Sequence, residues 1–182
     1  AKSNFCMWDD YYALIDELQL KIYNNKKVVS PFNLLGLIDD PSLQRKAAEI
    51  FTNHQYPKKN ALPKIQQYQK HHRVRIGYFS ADFHNHATMH LMAELFELHN
   101  KSLFEIIAFS FGPDKKDVWR KRAVNSFDKF IDVRHKSDLE VSLLSREMEI
   151  DIAVDLKGYT RDCRPKIFAE SCAPIQVSFL GY

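Results

Sequence analysis

Apolar positions recur in two rhythms along the chain, and the change falls near residue 73. Before it the spacing is helical. Tyr12, Ile15, Leu18 and Ile22 lie three or four apart and form one stripe, with Asp9 or Asp10 placed to cap the helix. Asp40-Pro41-Ser42 opens another helix, because proline fits a first turn whose N–H would be unbonded anyway. Leu43, Ala47 and Ile50 carry that helix to about Asn53. Residues 56–72 hold two prolines, many Lys and Gln and little periodicity, and read as a connection.

After residue 73 short apolar runs alternate with helical stretches. Runs at 74–80, 104–111, 130–133, 150–156 and 175–180 predict strands, and the stretches at about 87–99, 115–125, 137–148 and 164–170 predict helices. Strands rich in Ile, Val and Phe, each followed by a helix, imply β-α-β units and a parallel sheet buried on both faces. The expected fold class is therefore α/β, a Rossmann-like layer sandwich with right-handed crossovers. Residues 1–72 form a small helical segment and linker before it, and 73–182 form the sheet domain. The pattern does not set the order of the strands.

Charge and cysteines narrow the class. Against 26 Lys and Arg stand 23 Asp and Glu, a net charge of +3, without the concentrated basic excess of a nucleic-acid protein. Cys6, Cys163 and Cys172 are sparse, odd in number and far apart, which fits a reducing compartment, so a cytoplasmic protein is expected. No apolar run reaches the ~20 residues of a membrane helix, and no membrane partner is expected. Ala1 is not an initiator residue, so further chain is expected upstream.

Candidate chemistry gathers after the first predicted strand. A dinucleotide fold places G-x-G-x-x-G there, but this chain reads Ser80-Ala81-Asp82-Phe83-His84-Asn85-His86, which disfavours NAD and FAD. Ligands of open parallel sheets bind beyond the carboxyl ends of the strands, and this loop puts Asp82, His84, Asn85, His86 and, a turn later, His90 at that edge. His86 falls at a helix start, where unbonded N–H groups disfavour an imidazolium and leave a ring able to accept a hydroxyl proton. His86, His90, Glu94 and Glu97 share one face, opposite Met89, Met92 and Phe96. Two plainer readings fit the same residues. One is a solvated helix face with His90 paired to Glu94. The other is a metal site on Asp82, His84, His86 and His90, whose spacing is ligand-like, although Cys163 and Cys172 supply no second cluster. A second candidate is Asp155-Leu156-Lys157-Gly158-Tyr159-Thr160, on the same edge after the fourth strand. There Gly158 permits close approach of a ligand and Thr160 offers a hydroxyl; a plain strand-to-helix turn is the alternative.

The run at 75–92, RIGYFSADFHNHATMHLM, resembles the start of the catalytic region in the O-GlcNAc transferase and SPINDLY family. So do Gly158-Tyr159-Thr160, Ala173-Pro174-Ile175-Gln176 and Leu180-Gly181-Tyr182, while Trp8-Asp9-Asp10-Tyr11 is similar to the join between that family's helical repeats and its catalytic core. The resemblance implies a GT-B glycosyltransferase that moves a sugar with inversion, without an obligatory metal or cofactor, to Ser or Thr of protein acceptors. The donor it implies is a nucleotide-sugar, UDP-GlcNAc, although SPINDLY-like relatives use a GDP-sugar. It gives His86 a place near the reacting centre, as base or positioning group, and Lys157, Gly158, Tyr159 and Thr160 a place in a cleft-lining loop. Asp82, Asn85 and His90 join them as substrate-binding candidates. Lys157 and Ala87 depart from the animal enzymes, which carry another polar residue and proline at those positions. The family continues into a donor-binding domain, so this chain alone is expected to be inactive and to lack that domain and upstream repeats. A non-catalytic Rossmann-like binding module and a metal-dependent hydrolase on the histidine loop are the competing functional readings.

Overall fold

The computed structural model describes residues 9–57, 62–65 and 68–181. They divide into two compact units, 1–58 and 59–182. The first holds three helices, α1 (Tyr11–Tyr23), α2 (Pro31–Leu35) and α3 (Pro41–Gln55). Ile22, Leu34, Ile38, Leu43 and Ala47 form its core, with Ile15, Leu18 and Ile50 packed against it. Tyr12, the first residue of the expected stripe, is instead 83 % exposed. Among the described residues the core reaches back only to Ile15, and the Tyr12 ring meets that of Tyr11 edge-on at 5.6 Å. Asp10 sits at the N-cap of α1 without a side-chain cap bond. Asp40 does cap α3: its Oδ1 accepts from the N–H groups of Ser42 at 2.9 Å and Leu43 at 3.1 Å, a contribution of about 1 kcal/mol. The one-turn α2, with Pro31 in its first turn, lies outside the pattern read from the sequence.

The second unit is a five-stranded sheet in the order β3-β2-β1-β4-β5. Its strands are β1 (Val74–Ser80), β2 (Phe104–Ser110), β3 (Lys129–Asp132), β4 (Ile152–Asp155) and β5 (Ile175–Ser178). All four pairings are parallel, and Phe79 of β1 lies opposite Phe109 of β2 and Asp155 of β4. The α/β class and the alternation of strand and helix are as the sequence implies. The helices are α4 (Ala87–Leu98), α5 (Val118–Ser126), α6 (Asp138–Glu147) and α7 (Lys166–Ala169). Strands β4 and β5 are shorter than the apolar runs that predicted them. Ile150 and Leu156 are buried just beyond the two ends of β4, and Leu156 still donates its N–H to the Phe79 carbonyl of β1 at 3.1 Å.

The pleat sends alternate residues of β1 into two cores. Ile76 and Tyr78 pack with Met89, Met92, Phe96 and Phe127 on one face. Phe79 packs with Ile107, Phe109, Val141, Ile150 and Ile167 on the other. There the rings of Phe79 and Phe109 stack with centroids 4.3 Å apart. Gly77 permits this, since a Cβ there would sit 3.0 Å from the Phe79 ring and 3.1 Å from that of Phe109. Among the described residues no helix is long and apolar enough to cross a membrane.

The division at 58/59 places the connection with the sheet, not with the helices. Arg146 of α6 donates to the carbonyls of Pro63, Glu170 and Ser171. His71 bonds Asp151 through Nδ1 and Glu149 through Nε2, both at 2.9 Å. Two carboxylate partners favour the protonated ring, while Arg75 Nη1, 3.2 Å from Nε2, opposes it. The His71 pKa is raised, first by the Asp151 bond and then by that of Glu149.

Candidate active site

Strand order reverses between β1 and β4: from β1 the chain builds outward through β2 and β3, then returns to add β4 and β5. Loops leaving two such strands diverge and open a crevice. Both candidate loops stand at this switch point. The loop after β1 holds Asp82, His84, Asn85 and His86, and the loop after β4 holds Lys157, Gly158, Tyr159 and Thr160.

A buried ion pair joins them. Lys157 Nζ donates to Asp82 Oδ2 at 2.6 Å, with the two side chains only 5 % and 10 % exposed. In surroundings that exclude water, each charge is tolerable only because the other is there. Each end is also anchored to its own turn. The Ser80 hydroxyl accepts from Asp82 N–H at 2.9 Å, and Asp155 Oδ1 accepts from Lys157 N–H at 2.8 Å. Burial raises the Asp155 carboxyl above the ordinary aspartate value. Gly158 takes φ 52, a left-handed conformation that favours glycine.

His86 is the N-cap of α4, as its position in the sequence suggests. Its Nδ1 accepts from Thr88 N–H at 3.2 Å and lies 3.1 Å from the Thr88 hydroxyl. It also lies 3.5 Å from Asp82 Oδ2. The shorter bonds decide the tautomer. Nδ1 holds a lone pair toward Thr88, and the longer Asp82 distance suits two acceptors side by side. The neutral ring then carries its proton on Nε2, where it donates. Accepting a proton at Nε2 requires the opposite tautomer, with Nδ1–H turned to Asp82.

His90 does not pair with Glu94. Its Nε2 meets Asn85 Oδ1 at 3.0 Å, and its ring packs on Trp119 of α5 with centroids 4.1 Å apart. Asn85 in turn donates its N–H to Asp117 Oδ2 at 3.0 Å, while Asp117 Oδ1 accepts from Arg120 N–H at 2.8 Å to cap α5. The β1 loop is thus held from two sides. His84 Nδ1 is buried without a hydrogen-bond partner, and burial lowers that ring's pKa. Among the described residues no three His, Cys, Asp or Glu come together as a metal site. His86 Nδ1 is turned to the α4 cap and His90 Nε2 to the Asn85 amide, so these two nitrogens do not converge with Asp82 and His84. Thr160 spends its hydroxyl proton on the Lys157 carbonyl at 2.7 Å, which closes the turn and leaves only lone pairs for a ligand. Tyr159 is half-buried beside it.

Three contributors were missed in the sequence. Asp117 and Trp119 lie on a neighbouring helix, where one aspartate before a helix looks like an ordinary cap. Gly112 is more specific: a Cβ there would fall 1.7 Å from the Ala81 carbonyl oxygen, so β2's exit presses against the β1 loop. Gly181, quoted above only as part of a motif, does the same on the other side, since its Cβ would lie 2.3 Å from the Lys157 carbonyl carbon. Leu180 before it takes φ 60, a strained conformation for a branched side chain.

A family model described as glycosyl transferase family 41 matches residues 44–182. The chain is 30 % identical over 193 residues to a probable UDP-N-acetylglucosamine–peptide N-acetylglucosaminyltransferase, SEC, of Arabidopsis thaliana, covering 97 % of this chain and 20 % of that protein. It is 34 % identical over 115 residues to the UDP-N-acetylglucosamine–peptide N-acetylglucosaminyltransferase of Caenorhabditis elegans, covering 63 % of this chain and 10 % of that one. A solved mutant of Thermobaculum terrenum O-GlcNAc transferase superposes with a TM-score of 0.66 at 25 % identity, over 97 % of this chain and 32 % of its own. With its Rossmann-like sheet, paired loops and a match over most of its length, the chain belongs to glycosyl transferase family 41.

Proposed function

We propose that this chain is the acceptor-side half of a cytoplasmic protein O-GlcNAc transferase, which moves GlcNAc from UDP-GlcNAc to Ser or Thr hydroxyls. One observation carries the reading: the buried Lys157–Asp82 pair holds two loops together at the switch point, with His86 beside it. That arrangement gives a rigid rim and a single oriented imidazole at the place where an α/β sheet binds ligands. His86 Nε2–H serves as a positioning donor to an oxygen of the acceptor or the sugar. The Thr88 contacts orient the ring, Asp82, held by Lys157, borders it, and Asn85 and His90 form the wall toward α5. Lys157, Gly158, Tyr159 and Thr160 supply the opposite lip.

The chain spans 20 % of the Arabidopsis relative, and the donor half and upstream repeats belong to the functional enzyme we envisage. Exposed apolar side chains at Ile175, Val177, Phe179 and Leu180 support a further covering element rather than a free-standing binding module. The test is made on the natural polypeptide purified from its source. His86→Asn keeps an oxygen to cap α4 and removes the imidazole, so transfer from UDP-GlcNAc to protein should fall at least ~100-fold with unchanged melting. Near-normal transfer by that variant would overturn the assignment. The 182-residue chain alone should turn over no donor.

A further inference from the structure

A cavity of about 480 Å³ opens between the loop after β2 and helix α5. Val118, Val124 and Phe130 give it apolar walls, and Lys115, Lys116 and Lys121 stand on its rim. Val118 is 76 % exposed, a large apolar surface at the mouth. The acidic groups nearby are already committed. Asp117 accepts from two backbone N–H groups, and Asp114 pairs with Lys116 at 3.1 Å and faces Arg120 at 3.7 Å. Arg120 is buried, donates to Ser110 Oγ at 2.7 Å and stacks 4.6 Å from the Phe130 ring centre. The ammonium groups of Lys115 and Lys121 have no partner among the described residues. The cavity therefore presents apolar walls under an unbalanced positive rim.

This geometry points to one occupant. We propose that the cavity docks protein acceptors, taking one apolar side chain flanked by carboxylates on an extended segment. The inference rests on the acceptor-transfer reading and names the substrate feature that the same site would select. A free phosphate has no anchor here, because the Asp117 side chain already occupies first-turn N–H groups of α5. A single-stranded nucleic acid binds by stacking bases on exposed ring faces, and Arg120 covers the face of Phe130.

The cavity and the candidate reacting centre are joined by direct contacts. Asp117 bonds Asn85, the neighbour of His86, and Trp119 packs on His90. Those links put the cavity mouth on the same side as His86, within reach of a short extended segment, three residues of which span roughly 10 Å. An acceptor hydroxyl at His86 would thus place a residue a few positions away over the cavity, and its acidic neighbours against Lys115 and Lys121.

The test uses the isotopically labelled 182-residue chain and the peptide acetyl-Asp-Glu-Leu-Glu-Gly-Ser-Gly-amide, titrated at low salt by two-dimensional NMR. Shifts should gather at Val118, Lys121, Val124 and Phe130. Lys115→Glu with Lys121→Glu should weaken binding at least ~10-fold, as should replacing the acidic residues by their amides or the leucine by glycine. Preserved spectral dispersion of the double variant shows that it folds. Equal binding by the double variant or the amide peptide, shifts centred elsewhere, no binding at millimolar peptide, or tighter binding of oligodeoxythymidine would each overturn the docking assignment. Sugar transfer is scored separately. If natural enzyme loses transfer with His86→Asn while the double charge reversal leaves KM for acidic-apolar acceptors unmoved, the transfer reading stands and the docking site does not. Binding that maps to the cavity in a natural polypeptide that transfers no sugar leaves the reverse.

Discussion

Replacing Lys157 by methionine tests the ion pair that holds the two loops. The side chain keeps its length and apolar stem but leaves Asp82, 10 % exposed, without its cation. At 2.6 Å and an effective dielectric of 20, the pair's Coulomb attraction is about 6 kcal/mol. Desolvating two ions offsets most of that, so the pair adds little beyond an apolar substitute. Breaking it is different, because one charge remains buried; the expected loss is about 3–5 kcal/mol. Such a loss is a large share of the ~5–15 kcal/mol that holds a domain together, and lowers Tm by roughly 10–20 °C for a unit of this size. Urea denaturation followed by circular dichroism measures it. Asp82→Asn combined with Lys157→Met removes both charges and should recover more than half of the loss. A single-variant cost below ~1 kcal/mol, or a double variant equal to the sum of the singles, would refute the claim that the pair is buried and coupled.

Other outcomes follow from neighbouring contacts. His71 bridges two carboxylates and its pKa is raised by them, so its stabilisation is complete below the unfolded value near 6.5 and is lost as pH rises through the folded value. Wild type should therefore exceed His71→Gln in urea stability at pH 6 and converge on it at alkaline pH; a constant gap rules this out. Gly112→Ala drives a Cβ to 1.7 Å from the Ala81 carbonyl oxygen, and should cost more than about 2 kcal/mol, read as a shift of the urea midpoint; an unchanged midpoint means that the β1 loop yields freely. The Cys172 thiol is buried and pushed up to about 12 by desolvation, whereas Cys163 is half-buried. Peptide-resolved iodoacetamide labelling of the folded chain should modify Cys163 well before Cys172; equal rates contradict the packing.

How much of this was legible depended on whether neighbours in sequence were also neighbours in space. Strand β1 and helix α4 were readable because Ile76, Tyr78 and Phe79 make a short apolar run and Met89, Met92 and Phe96 keep helical spacing into the core. The His86 cap was readable for the same reason, being a local bond to Thr88. The Lys157–Asp82 pair was not, since 75 residues separate its members and no periodicity marks which loops a strand order brings together. His90 shows the limit from the other side. Helical spacing offered Glu94 as its partner, but the loop folds back and presents Asn85, whose amide is positioned by Asp117 from another helix. Gly112 and Gly181 carry no local signal, because the clash that demands glycine is with backbone 31 and 24 residues away, from 112 − 81 and 181 − 157.

The same ion pair bears on what this edge of the sheet can do in catalysis. A nucleotide-sugar donor leaves as a diphosphate, and its departure needs unspent positive charge or aligned N–H groups near the developing anion. Among the described residues Lys157 is the one buried ammonium in the candidate cleft, and Asp82 already neutralises it at 2.6 Å. The first-turn N–H of Thr88 is directed to His86 Nδ1, and that of Arg120 to Asp117. The groups best placed to stabilise a leaving diphosphate are thus turned inward, to hold the loops in register. Among the described residues the imidazole N–H of His86 and the lone pairs of Thr160 stay directed to a ligand on a rim held by the ion pair. Such equipment suits orienting an acceptor against a sugar. On the transfer reading proposed above, leaving-group stabilisation falls to groups other than these, so charge reversals at Lys115 and Lys121 should alter acceptor choice without altering affinity for the nucleotide, which isothermal titration on the natural polypeptide can check.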